Sequence, residues 1–220
     1  MKSILPGRVA AHGVAGWVGL LLLTGPLLAG DAAVRALPAP HKSGGKPLMQ
    51  ALNERRSQRD FLPDALTEQQ LSDLCWAAFG LNRPEIDHRT APSAQNTQDV
   101  DLYVALADGV YVYEAKGHGL RKVSDRDVRP LATTQDPLKV AAAQVIYVSD
   151  HSRMAKVALE ARELYSGVDT GAIVQNVYLY CASEGLATVV HELDRGPLAK
   201  ALELRADQHI IVAQAVGRPK

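Results

Sequence analysis

"DLYVALADGVYVYEAKGHGLRKV", residues 101–123, decides the fold. Apolar and polar residues alternate on both sides of Asp108-Gly109, the period of a pleated strand whose successive side chains leave opposite faces. Asp-Gly favours the positive backbone φ angles of a tight hairpin turn, so the stretch predicts two antiparallel strands closed at 108–109. A parallel pair would need a helical crossover between its strands instead.

Reading outward, "AAAQVIYVSD" (141–150) is a mostly apolar run and predicts a buried strand. Met154–Tyr165 is expected to be helical. "TGAIVQNVYLYCASEGL" (170–186) reads as a long helix, apolar around most of its circumference and so covered on more than one side, with Gly185-Leu186 ending it. "ATVVHEL" (187–193) reads as a strand, "GPLAKALEL" (196–204) as a short helix and "QHIIVAQAVG" (208–217) as the last strand. Upstream, Thr67 and Gln70 form a capping box, with Leu66 and Leu71 as its hydrophobic staple. That helix runs to Gly80. Leu48 and Leu52 mark a shorter amphipathic helix starting near Pro47. Residues 33–45 hold Pro38, Pro40, Gly44 and Gly45 and read as a linker. No steady strand–helix–strand rhythm appears, which predicts α+β in one domain over 46–220.

The chain has 24 basic and 24 acidic residues among 220. Without a basic excess, nucleic acid is not expected as a partner. Neither a Rossmann glycine fingerprint nor a Walker loop occurs. Lys2 and Arg8 precede the charge-free run Val14–Gly30, and Gly30 and Ala32 stand at signal-peptidase spacing. A secretory signal peptide over 1–32, cut near Ala32 or Ala36, is the expectation; a retained N-terminal anchor is its alternative. The protein is then exported, periplasmic or envelope-associated. Cys75 and Cys181 both lie on apolar helix faces and read as buried free thiols. No Cys-x-x-Cys and no His-rich spacing occurs, so no metal site is expected.

Three stretches carry candidate chemistry. Arg55, Arg56, Ser57 and Arg59 follow the first helix; planar guanidinium forks and a hydroxyl suit a phosphate, though they equally suit a solvated helix end. Pro92, Ser93, Ala94, Asn96 and Gln98 combine a turn, a small side chain and amide groups that could read a heterocycle, or form a polar surface loop. Gln175 and Asn176 need partners inside their apolar helix and are expected to cap a neighbouring loop. Glu192 ends a strand where a loop could face a pocket, and His191 reads as a packed or surface histidine.

Taken in order, Arg55-Arg56-Ser57-x-Arg59, Pro92-Ser93-Ala94-x-Asn96-x-Gln98, the buried helix ending in Gly185-Leu186, and the closing Val216-Gly217-x-Pro219 resemble the FMN-dependent nitroreductase family. Leu48–Phe61 and "RTAPSA" (89–94) are most similar to its SagB/ThcOx-type dehydrogenase branch. That branch usually continues with Gly and an aromatic-proline pair; this chain has Gln95-Asn96-Thr97-Gln98-Asp99. The resemblance implies a nitroreductase-like α+β fold, a central mostly antiparallel sheet flanked by helices, in an intertwined homodimer with two FMN sites at its interface. It implies that Arg55, Arg56, Ser57 and Arg59 hold the phosphate, ribityl chain and pyrimidine end of one FMN. Pro92, Ser93, Ala94 and Asn96 would reach the same flavin from the other subunit. Val190–Leu193 would pass the ring, with a backbone N–H near Glu192 or Leu193 directed at N5, and Arg218 would stand near the phosphate. No side-chain catalyst and no metal is implied. The expected activity is hydride or electron transfer between a reduced donor, NAD(P)H among the candidates, and a small organic acceptor. The alternative is a non-enzymatic or partner-dependent flavin-binding envelope protein of the same fold.

Overall fold

The computed structural model describes residues 1–3, 7 and 34–220. The expected signal peptide or anchor lies almost wholly outside the described residues. The chain divides into Met1–Asp31 and Ala32–Lys220, and every element below belongs to the second unit. No helix among the described residues is long and apolar enough to cross a membrane.

In chain order the first elements are β1 (Val34–Ala36), α1 (Leu48–Glu54), α2 (Glu68–Phe79), β2 (Leu81–Arg83) and β3 (His88–Arg89). The expected hairpin follows as β4 (Val100–Leu106) and β5 (Gly109–Glu114), with Leu106 opposite Gly109. Gly109 takes φ 138°, a conformation side chains resist, which is why the turn needs glycine. Next come β6 (Gly119–Ser124), β7 (Ala143–Asp150), α3 (Arg162–Glu184), β8 (Ala187–His191), α4 (Arg195–Ala201) and β9 (Gln208–Gly217). The main sheet has seven strands in the order β1-β6-β5-β4-β7-β9-β8, and every neighbouring pair is antiparallel. β2 and β3 form a separate ribbon.

Strand alternation sorts the core onto two faces. Leu102, Val104, Val145 and Tyr147 point to one side and pack with Leu74, Cys75 and Phe79 of α2 and Ile173, Val177 and Cys181 of α3. Tyr103, Ala105, Ile146 and Val148 point to the other, against Leu198 of α4, Leu193 and Leu202. Both thiols are buried and free, as expected. The Thr67–Gln70 capping box is present in both directions. Gly185 ends α3 in the left-handed conformation, φ 70°.

Two expectations are corrected. Val34–Ala36 is not linker: it adds an edge strand to β6, Val34 opposite Arg121 and Ala36 opposite Gly119. An exposed sheet edge offers unpaired N–H and C=O groups to any nearby extended segment, whatever its sequence. Buried Leu37 and the Arg35–Glu68 ion pair hold this one in place. Met154–Tyr165 is not a continuous helix either. Met154 and Val157 are drawn into the core, a short 3-10 turn occupies Leu159–Ala161, and α3 begins only at Arg162.

Candidate functional site

Arg55 closes α1, and the chain then crosses the end of the sheet. The Gln58 N–H donates to the Thr188 carbonyl of β8 at 3.0 Å, Leu62 N–H to Arg218 at 3.0 Å, and Lys220 N–H to Asp60 at 3.2 Å. Residues 55–62 are thereby threaded between β8 and the C-terminal residues of the chain. Buried Tyr178 of α3 lies beneath them. Its hydroxyl oxygen accepts the Val190 N–H at 2.9 Å and lies 2.9 Å from Ser57 Oγ. Either hydroxyl can donate in this contact; where Tyr178 donates, the Ser57 proton is left for a ligand oxygen. The Arg55 guanidinium lies over the Tyr178 ring, 5.2 Å from its centre.

Two adjoining hollows open here. One of about 580 Å³ is lined by Arg55, Arg56, Gln58, Lys46 and Lys220 among others; the next, about 400 Å³, by Arg56, Ser57, Arg59, Asp60 and Lys220. Both sizes suit a small-molecule ligand. Among the described residues, Arg55, Arg56, Arg59, Arg218 and Lys220 form no ion pair with a carboxylate. Glu54, paired with Lys46, and Asp60 also line these hollows, but cationic side chains outnumber them there, which suits an anion. A third hollow, about 490 Å³ between His41–Gly45 and the α2–α3 pair, lacks this chemistry: its Lys42 ammonium sits 5.8 Å from the centre of the Trp76 ring, and His41 pairs with Asp73.

The loop Pro92–Gln98 is held elsewhere. Asp169 of α3 accepts the Ala94 N–H with both oxygens, at 3.0 and 2.9 Å. Ser93 Oγ accepts the Gln98 N–H at 2.9 Å, and Asn96 Oδ1 accepts from the Gln98 amide at 3.3 Å. Gln95, Asn96 and Gln98 all take positive φ, 50°, 54° and 48°, an uncommon run for residues with side chains. Asp169 lies nine residues before Tyr178 on α3, roughly 14 Å along the helix at 1.5 Å per residue. One chain therefore gathers Arg55, Arg56, Ser57, Arg59, Val190 and the end of β9, and leaves Pro92, Ser93, Ala94 and Asn96 apart from them.

The profile of the nitroreductase family matches residues 52–218. The chain belongs to the nitroreductase family. A provisionally named nitroreductase of Methanocaldococcus jannaschii is 31% identical over 152 residues, 64% of this family member and 76% of its own length. The crystal structure of a provisionally named nitroreductase from Ralstonia eutropha matches with a TM-score of 0.82 and 39% identity, over 85% of this chain and 90% of that one. The NADPH:FMN oxidoreductase of Vibrio harveyi, solved with NAD+, shares the fold at a TM-score of 0.58 and 19% identity, over 79% of this chain and 69% of that one.

In this family member the residues at the end of β8 have distinct surroundings. The Val190 N–H is engaged by Tyr178, so it is not free for a ligand. The Glu192 side chain is exposed and turned to Arg195, whose hydrogen bond holds its carboxyl below the usual range. The Glu192–Leu193 backbone leaves the sheet ladder after His191. His191 is packed: its Nε2 lies 3.0 Å from Gln144 Oε1, and burial lowers its pKa. Asn176 donates to the Ala78 carbonyl at 3.3 Å and so ties α3 to the end of α2. Sequence reasoning missed Tyr178 and Asp169. A tyrosine in an apolar stripe needs a partner for its hydroxyl, and an acid in a buried helix needs donors; those were the available signals.

Proposed function

We propose that the protein is an FMN-dependent oxidoreductase of the homodimeric, ping-pong type, taking electrons from a reduced donor and passing them to a small organic acceptor. The observation that carries this reading is the unpaired Arg55–Arg56–Arg59–Lys220 surface around the Ser57 hydroxyl. Its donor set fits a flavin phosphate: guanidinium forks that form no ion pair among the described residues, and one hydroxyl hydrogen-bonded to Tyr178. The use of FMN and NADPH by a Vibrio protein of the same fold supports it further. FMN, when bound, supplies the hydride chemistry at its N5.

The chain's own residues bind and orient. Arg55, Arg56 and Ser57 would hold the phosphate and ribityl chain, with Arg218 close by. Arg59 would stand at the pyrimidine end, where a cation favours added negative charge on a reduced ring. Backbone groups at Glu192–Leu193, released from the ladder, would face the ring edge. Pro92, Ser93, Ala94 and Asn96, kept apart within one chain, would serve the site of a second copy. Within the family we place the chain nearest the SagB/ThcOx-type dehydrogenases, on 48–61 and 89–94. We also propose export, on the apolar run Val14–Gly30; an extracytoplasmic donor other than NAD(P)H is then the expectation, because nicotinamides are intracellular reductants.

The deciding experiment is the absorption spectrum of the purified chain after equilibration with excess FMN and gel filtration. Retained flavin that a nicotinamide or small dithiol bleaches and a small acceptor restores is the expected result. A colourless protein defeats the proposal. Retained flavin that only dithionite reduces defeats the enzymatic part of it.

A further inference from the structure

Three metal-ligating side chains, scattered in sequence, meet at the other end of α3. His151 opens a 3-10 turn directly after β7, His209 lies in β9, and Glu163 lies in the first turn of α3. One donor atom from each lies within 4.8 Å of the others. The two imidazole rings are 4.3 Å apart at their centres, with planes at 33°.

The scaffold under them is rigid. Ser149 of β7 is paired with His209 of β9, and the His151 N–H donates to the Asp207 carbonyl at 2.8 Å. Arg162 at the start of α3 donates to the carbonyls of His151 and Val157, both at 3.3 Å. Two strands are thus joined through their backbones, and the start of α3 through the Arg162 side chain, within a few residues of the donor atoms.

A directed hydrogen-bond chain also sets the tautomer of His151. Fully buried Asp99 accepts the Ser149 hydroxyl at 2.7 Å and the Thr97 hydroxyl at 3.1 Å. With its proton given to Asp99, Ser149 Oγ can only accept from Ser166 Oγ, 2.8 Å away. The Met154 sulfur, 3.5 Å from Ser166 Oγ, is the weaker acceptor. Ser166 Oγ in turn accepts from His151 Nε2, 3.1 Å away. Protonation at Nε2 leaves the Nδ1 lone pair free, and a ligating histidine ordinarily has its other nitrogen anchored in this way.

We propose that His151, Glu163 and His209 form a three-ligand site for a divalent late first-row transition metal, zinc foremost, with water in the fourth position. Two imidazole nitrogens and one carboxylate oxygen are a donor set zinc takes, at bond lengths of ~2.0–2.2 Å. Such bonds place tetrahedral ligands about 3.3 Å apart, so the three atoms must draw together. Exposed Glu163 at the surface of α3 has the freedom to make that move. The Arg162 guanidinium beside the site opposes a cation and Glu163 offsets it, which makes the carboxylate the decisive ligand. Glu163 precedes Tyr178 by fifteen residues, roughly 22 Å along α3, so the metal acts as a clamp between helix and sheet, remote from the Ser57 hollow.

The test is a titration of the chelator-stripped full chain with zinc alone, in competition with a chromophoric chelator, and with cobalt(II) followed by its visible bands. One zinc per chain, a thermal midpoint that rises with zinc, and four-coordinate cobalt bands are expected. His209→Ala and Glu163→Gln should each weaken zinc at least about tenfold, the scale on which even outer partners of a metal matter, and abolish the cobalt bands. Because Glu163 is exposed, Glu163→Gln decides the matter if His209→Ala fails to fold. Flavin retention should be the same in wild type and Glu163→Gln, which separates this test from that of the flavin site. Less than one zinc per chain, or unchanged zinc affinity in Glu163→Gln, overturns the proposal.

Discussion

Single side chains differ in what they support. Arg56 is exposed and bonds to no other described side chain, so its removal leaves the fold alone; a surface change of this kind stays within ~0.5 kcal/mol of stability. A hydrogen bond to a charged group is worth roughly 1.5–3 kcal/mol. Arg56→Ala should therefore lower FMN affinity by about one to two orders of magnitude with an unchanged melting temperature, read by quenching of flavin fluorescence. Equal affinity in both proteins would remove Arg56 from the site. Asp169 acts on stability instead. Burial pushes its carboxyl from 3.8 up to about 6, with Asp99 adding to the rise and the Ala94 N–H working against it. A folded-state pKa above the unfolded one means the folded chain holds the extra proton; this stabilisation is full below pH ~4 and lost as pH rises through about 6. Measured by urea midpoints between pH 4 and 7, wild type should lose stability relative to Asp169→Asn over that window. A difference independent of pH would show that Asp169 does not titrate there.

Among the elements, α2 is written locally and can be weakened locally. Thr67 and Gln70 satisfy each other's backbone donors, and losing such a cap costs about 1 kcal/mol. Thr67→Ala should lower the thermal midpoint by roughly 2–4 °C in a domain of this size, without loss of FMN binding; calorimetry on wild type and variant checks it. The same locality made α2, the β4–β5 hairpin and the glycine end of α3 legible in the sequence, because each signal lies within a few residues. β1 was illegible for the opposite reason. Three residues, Val34-Arg35-Ala36, carry no pattern, and only the free edge of β6 makes them a strand. The helix expected over 154–165 begins only at Arg162, with Met154 and Val157 buried ahead of it.

For the whole molecule, the unpartnered surface is informative. Leu164, Tyr165 and Val168 share one face of α3 and are 67%, 41% and 57% exposed; Leu48 and Met49 of α1 are exposed too. Apolar faces of this extent usually meet a partner. If a second copy supplies Pro92–Asn96 to the flavin, dissociation and flavin loss must go together. Sedimentation velocity should find wild type dimeric and the double variant Leu164→Asp, Val168→Asp monomeric, with FMN retention reduced in step. A monomeric wild type that holds FMN firmly would refute the shared site.

The amino-acid sequence by itself determined the alternating hairpin, the capped helices, the two buried thiols and the arginine–serine stretch, since each depends on neighbours close along the chain. The tertiary structure alone decided the strand order, the support of Ser57 by Tyr178, the capture of the Ala94 N–H by Asp169, and the meeting of His151, Glu163 and His209. Those contacts join residues far apart in sequence, and they arise only when burial summed over the entire core outweighs the entropy of closing long loops.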